Sequence, residues 1–123
     1  MTTFRSKAVL CIGSDFVNLN LRCSFLEGHG WHVMSSGKGH DGVFRFSREH
    51  VDAVVIDLDG DGSEAALIAA ELKRRRANVP VIMLVRDEGV LVPGATAQAD
   101  AILLKSDEAK LLHKTLKNIL HAV

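Results

Sequence analysis

An apolar run that stops abruptly at an acid is the feature that most constrains how this chain can fold. Val54, Val55 and Ile56 lead directly into Asp57, and residues 58–62 then contain two further acids and two glycines. A strand buried on both faces of a parallel sheet reads as such a continuous apolar run. Ligands of open α/β sheets bind just beyond the carboxyl ends of the strands. The pattern therefore predicts a buried parallel strand and makes Asp57 the best-placed reactive group.

Length and charge limit the classes of protein that this chain can represent. Its 123 residues are 47% hydrophobic, which predicts one packed domain over residues 1–123. The formal net charge is zero, so binding to nucleic acid by bulk charge is not expected. The first apolar run, residues 8–12, is too short for a signal sequence or a membrane span. A cytoplasmic location without membrane contact is expected.

Short apolar runs alternate with helical patterns along the whole chain, which is typical of a parallel sheet with crossover helices. Strands are predicted at residues 8–12, 31–35, 53–57, 80–85 and 101–104. Helices are predicted from Asp15, between the glycines at 37–39 and Glu49, over 64–76 behind a Ser63 cap, and over 107–121. Residues 89–94 form a variable segment. The predicted fold class is α/β, a doubly wound (βα)5 arrangement with a five-stranded parallel sheet.

Helical spacing also predicts which side chains of two helices face the core. On the first helix these are Phe16, Leu19, Cys23 and Leu26, and on the third they are Leu67, Ile68 and Leu72. The basic run at 73–76 is interpreted as a solvated helix end that suits the helix dipole.

Three segments, residues 57–72, 80–84 and 99–105, resemble the receiver domain of two-component response regulators in order and spacing. The resemblance covers the whole chain and implies the flavodoxin-like receiver fold. It implies that Asp57 accepts a phosphoryl group from a histidine kinase and that Lys105 neutralises it. It also implies a divalent cation such as Mg²⁺, held partly by an acidic pair at the end of the first strand.

The chain departs from that family at the positions around Asp57. Gly13 and Ser14 stand where the acidic pair belongs, so magnesium is expected to bind weakly or not at all. Candidate replacement ligands are Asp15 and Asp59, together with Asp57 itself. Val85 replaces the hydroxyl residue that the family normally has at the end of the fourth strand, and Ile102 replaces the switch aromatic.

These substitutions predict a divergent or pseudo-receiver that acts through protein contacts and is not an enzyme. The expected partners are a histidine kinase or another signalling protein, with a homodimer through residues 89–121 as a further possibility. No membrane or nucleic-acid partner is expected for this domain. The chain is either a stand-alone regulator or an excised module.

Other readings of the same residues remain open. Asp57-x-Asp59-Gly60 resembles the start of haloacid-dehalogenase phosphatases, with Asp57 as nucleophile and Asp59 as general acid, although only 66 residues follow Asp57. A calcium loop would need a Glu where Ile68 stands. Three glycines at 37, 39 and 42 match a dinucleotide fingerprint after a polar strand. A binding module that is never phosphorylated is the remaining alternative.

Overall fold

The computed structural model describes residues 6–86 and 88–121 and has an α/β architecture. The predicted domain extends beyond these residues at both ends. Five parallel strands form one sheet in the order β2-β1-β3-β4-β5. The strands are β1 (Ala8–Gly13), β2 (His32–Ser36), β3 (Ala53–Asp57), β4 (Val81–Val85) and β5 (Ala101–Leu104). The helices are α1 (Phe16–Gly28), α2 (Gly39–Arg48), α3 (Ser63–Arg75) and α4 (Glu108–Leu120). The predicted doubly wound, five-stranded parallel sheet is confirmed.

The sheet separates two hydrophobic cores, because alternate residues of each strand point to opposite faces. Leu10 of β1 packs in a core that contains Phe46 of α2 and Leu72 of α3. Its neighbour Val9 packs in the other core, which contains Leu26 of α1 and Leu112 of α4. Helices therefore cover both faces, and the carboxyl ends of the three central strands meet at one edge of the sheet.

Details of the helices correct the sequence prediction at three residues. Phe16 and Leu67 are 74% and 72% exposed instead of facing the core. Leu67 lies about 140° around the helix axis from the buried Leu72, and Phe16 only begins α1. Asp15, the predicted start of the first helix, is the cap of α1, whereas Ser63 is the first residue of α3 and not its cap. The Ser63 N–H donates instead to the Asp61 carboxylate at 3.0 Å.

The connection from β4 to β5 contains no α-helix among its described residues. A short 3-10 turn, Glu88–Val90, is followed by further turns at 93–98. This segment packs on the start of α3, where the Val92 N–H donates to the Asp61 carbonyl at 2.8 Å. Gly62 has a φ of 87°, and a Cβ there would lie 2.8 Å from the Ala95 Cβ. The close approach requires glycine at position 62.

The basic run at the end of α3 is engaged with neighbouring groups. Arg74 and Arg75 form ion pairs with Glu71, and Lys73 reaches Asp100 on the approach to β5.

Within the described ranges, no helix combines the length and hydropathy that crossing a membrane requires.

Candidate functional site

Asp57 is the last residue of β3 and lies at the carboxyl edge of the sheet, where the sequence predicts a reactive group. Its register partner on β1 is Gly13, so the ends of the two strands lie side by side. The residue is only 3% exposed. A carboxylate this deeply buried needs partners for its charge, because losing its hydration is costly.

Lys105 supplies one of these partners. It follows β5 directly and begins a short 3-10 turn, Lys105–Asp107. Its Nζ lies 2.5 Å from Asp57 Oδ1 and 3.9 Å from Asp59 Oδ1. The contact with Oδ1 is an ion pair without good hydrogen-bond direction, since Oδ1 accepts no hydrogen bond from the described residues. The fold thus brings together the two principal residues of the sequence-based site.

Arg22 supplies the second partner, and sequence reasoning missed it. It lies in α1, is 3% exposed, and its Nη2 donates to Asp57 Oδ2 at 2.8 Å. The side chain occupies the buried face of α1, three residues after Leu19 and four before Leu26. The signal available in the sequence was a charged residue at a position where the helical spacing predicts a buried apolar one.

Glu108 holds the other side of the same guanidinium. Its two carboxylate oxygens accept from Arg22 Nε at 2.5 Å and from Nη2 at 3.0 Å. Burial by itself would lower the pKa of Arg22, but the bonds to Glu108 and the charge of Asp57 outweigh it and raise the pKa. Arg22 therefore stays charged and joins α1, β3 and the first turn of α4.

The four side chains alternate in sign and balance in charge. Two cations, Arg22 and Lys105, face two carboxylates, Asp57 and Glu108. Arg22 Nη1 is fully buried and has no hydrogen-bond partner among the described residues. We refer to these four residues as the Asp57 centre.

The remaining acids of the sequence-based site lie at the edge of this centre. Asp15 caps α1 by accepting from the Asn18 N–H at 3.1 Å. Asp59 is exposed, and its Oδ2 accepts from the Ser14 hydroxyl at 3.1 Å. Asp15 and Asp59 line the same cavity as Lys105, but neither contacts Asp57 through a described hydrogen bond.

These residues do not fit a magnesium site. Hard cations need several oxygen ligands, preferably charged ones. Gly13 offers no side chain, and both Asp57 oxygens already face cations. Across residues 6–86 and 88–121, no group of three or more His, Cys, Asp or Glu side chains is arranged to hold a metal ion.

The positions that would transmit a phosphoryl signal are apolar. Val85 ends β4 and is 7% exposed, so no hydroxyl reaches the centre from that strand. Ile102 lies on β5 with 40% of its surface exposed.

A cavity of about 310 Å³ opens beside the centre, between the β3–α3 turn and the β4–β5 connection. Its apolar wall includes Leu58, Met83 and Leu91, and its charged residues are Asp15, Asp59, Arg86 and Lys105. Two carboxylates and two cationic side chains therefore line the cavity.

Comparisons with known proteins bear on the fold. No protein-family model matches the chain. A probable transcriptional regulator, ycf27 of Porphyridium aerugineum, is 30% identical over 96 residues, which are 76% of this chain and 40% of that protein. The chain thus spans well under half the length of this curated relative.

Solved receiver structures are similar over almost the whole chain. The CheY-like receiver domain from Methanospirillum hungatei has a TM-score of 0.83 at 20% identity and covers 95% of both chains. Response regulator TrrA from Thermotoga maritima, in complex with Mg²⁺ and BeF, has a TM-score of 0.82 at 18% identity, covering 92% of this chain and 98% of that one. A receiver domain from Methylobacillus flagellatus gives 0.81 at 19% identity, covering 94% and 99%.

The chain therefore has the receiver fold of CheY-like response regulators. The resemblance predicted from three sequence segments is confirmed at the level of the fold.

Proposed function

We propose that this chain is a signal-transduction receiver module of the two-component type that works through protein contacts and not through turnover. The receiver fold and the proximity of Asp57 to Lys105 support this role. The observation that carries the proposal is the pairing of both Asp57 oxygens with cations of the same chain. A carboxylate that attacks phosphorus needs a free and accessible oxygen, and this one is buried and neutralised. Asp57 is accordingly a poor phosphoacceptor.

The output of the module should then be independent of phosphorylation. Val85 and Ile102 cannot form the hydroxyl and aromatic contacts through which the family couples a phosphoryl group to the distant face. A ligand shifts a conformational equilibrium only by its differential affinity for the two states. Without those contacts, a phosphoryl group would have little influence on residues 89–121 beyond Lys105, which contacts Asp57 directly.

The proposed partners are a histidine kinase or another signalling protein, and a second copy of the chain is the alternative. Residues 89–121 support a protein contact because they expose several apolar side chains, namely Val90, Ile102, Leu104 and Leu111. Exposed apolar side chains that form a patch are typical of interaction sites. Nucleic-acid binding is not proposed for this domain, whose formal charge is zero.

Calorimetry tests the proposal. The chain is titrated with the purified histidine kinases encoded in the same genome, before and after incubation with acetyl phosphate and magnesium. We expect binding to at least one kinase with the same Kd in both states. Binding that requires acetyl phosphate would contradict the proposal, and binding to none would exclude a histidine kinase as the partner. Hydrolysis of p-nitrophenyl phosphate that disappears in Asp59→Asn would instead favour the phosphatase alternative.

A further inference from the structure

We infer that Arg22 is a resident cation of the Asp57 centre and takes the place that the receiver resemblance gives to a divalent metal ion. The centre then needs no magnesium and does not admit it. Through Glu108, the same guanidinium also ties the centre to α4.

The position of the guanidinium supports this assignment. Arg22 Nη2 lies 2.8 Å from Asp57 Oδ2. The other terminal nitrogen of the guanidinium, Arg22 Nη1, would lie 3.5 Å from a Cβ placed on Gly13. Gly13 and Ser14 occupy the position of the family's acidic pair. The guanidinium therefore fills the space between Asp57 and the end of β1, where metal-binding carboxylates would otherwise project.

The charge balance leads to the same conclusion. The two cations of the centre already match its two carboxylates, so a divalent ion would add uncompensated charge at a buried place. Repulsion between like charges is strong where water is excluded. An arginine also cannot lose its proton to make room for a metal.

Ligand supply is the third consideration. Asp57 Oδ2 accepts from Arg22, Oδ1 faces Lys105, and the Ser14 hydroxyl donates to Asp59. Magnesium demands nearly octahedral oxygen coordination and gives up its water reluctantly. No described oxygen of the centre is both charged and free of a cation.

A manganese titration followed by amide resonances tests the inference, since paramagnetic Mn²⁺ broadens signals near any site that binds it. For the wild type we expect no selective loss of signal at residues 13–15 and 57–59 at millimolar Mn²⁺. In the double variant Gly13→Asp with Arg22→Gln, the added carboxylate and the vacated space should produce selective loss at these residues. Arg74→Gln is the matched control, because it removes an arginine beside Glu71, far from the centre.

A second variant keeps the inference testable if the double variant does not fold. Arg22→Lys preserves the positive charge and should bind no Mn²⁺, even if the double variant fails to fold. Selective broadening in the wild type, or a folded double variant without it, would overturn the inference. The charge at this centre does not depend on whether the chain signals through partners. Metal uptake by the wild type would therefore overturn this inference alone. The calorimetry with histidine kinases would still test the proposed function.

Discussion

Asp57 and Arg22 form an ion pair whose side chains are only 3% and 2% exposed. Taking each charge out of water costs several kcal/mol, and the attraction between the partners offsets that cost only while both are present. Removing one partner leaves the other as an uncompensated buried charge. At the scale of single residues, the centre is therefore far more sensitive to truncation than an exposed ion pair.

Replacing Arg22 by methionine tests this sensitivity while preserving most of the apolar volume of the side chain. We expect Arg22→Met to lower the free energy of unfolding by about 3–5 kcal/mol, because Asp57 and Glu108 lose their shared cation. Urea unfolding followed by circular dichroism measures the change. Arg74→Met, at a surface pair with Glu71 whose side chains are 70% and 32% exposed, is the control and should change stability far less. Equal losses of unfolding free energy in the two variants would show that the buried ion pair stabilises the fold no more than the surface pair does.

At the scale of elements, the β4–β5 connection depends on its close contact with the start of α3. Gly62 and Gly60 both have positive φ values, 87° and 103°, so both disfavour a side chain. They differ in space: a Cβ on Gly62 would lie 2.8 Å from the Ala95 Cβ, whereas one on Gly60 meets nothing within 4 Å.

The two glycines therefore form a matched pair of alanine substitutions. Gly60→Ala should cost about 1 kcal/mol for the backbone alone. Gly62→Ala should cost more by about 1–3 kcal/mol, because the new methyl group also overpacks against the connection. Thermal and urea unfolding of both variants measure the difference. If the two variants are equally stable, the connection does not pack on α3 as described.

A second contact between elements depends on pH. Trp31 Nε1 donates to His113 Nδ1 at 2.8 Å, which requires that nitrogen to be unprotonated and links the start of β2 to α4. Burial lowers the pKa of His113 below its ordinary value of 6.5, and the charges of His29 and Lys117 lower it further. The unfolded chain therefore takes up this proton first. The contribution of this hydrogen bond to stability is fully present above pH 6.5. It is lost as the pH falls through the pKa that His113 has in the folded protein.

We expect the urea midpoint of the wild type to fall between neutral pH and about pH 5, and the fall to be smaller in His113→Gln. Glutamine can accept from Trp31 but does not titrate. His32→Gln, at an exposed histidine, should retain the wild-type fall. An undiminished fall in His113→Gln would assign the pH dependence to other groups.

At the scale of the whole molecule, the question is whether events at Asp57 reach residues 89–121. Beryllofluoride with magnesium mimics a phosphoryl group, and we expect the amide shifts of residues 89–121 other than Lys105 to remain unchanged when it is added. Any shifts should stay at Asp57, Asp59 and Lys105, because Val85 and Ile102 provide no coupling contact. Large shifts across residues 89–121 would show that the domain retains a phosphorylation-dependent switch.

Much of the fold follows from local sequence patterns. The run ending at Asp57 predicts the bounds of β3, Ala53–Asp57, and the run at 101–104 predicts those of β5. Apolar runs identify buried strands because both faces of a central parallel strand exclude water. The proximity of Asp57 and Lys105 follows as well, since both residues come at the carboxyl ends of parallel strands.

The sequence by itself determined the fold class, the strands and the edge of the sheet where the site lies. Only the tertiary structure decided how the charge of Asp57 is balanced. Arg22 is 35 residues from Asp57 and 86 from Glu108, so no local spacing connects them. Their contact depends on how α1 and α4 pack on the same face of the sheet. Periodicity marks which face of a helix is buried, but the partner of a charge on that face is set by elements distant in the chain.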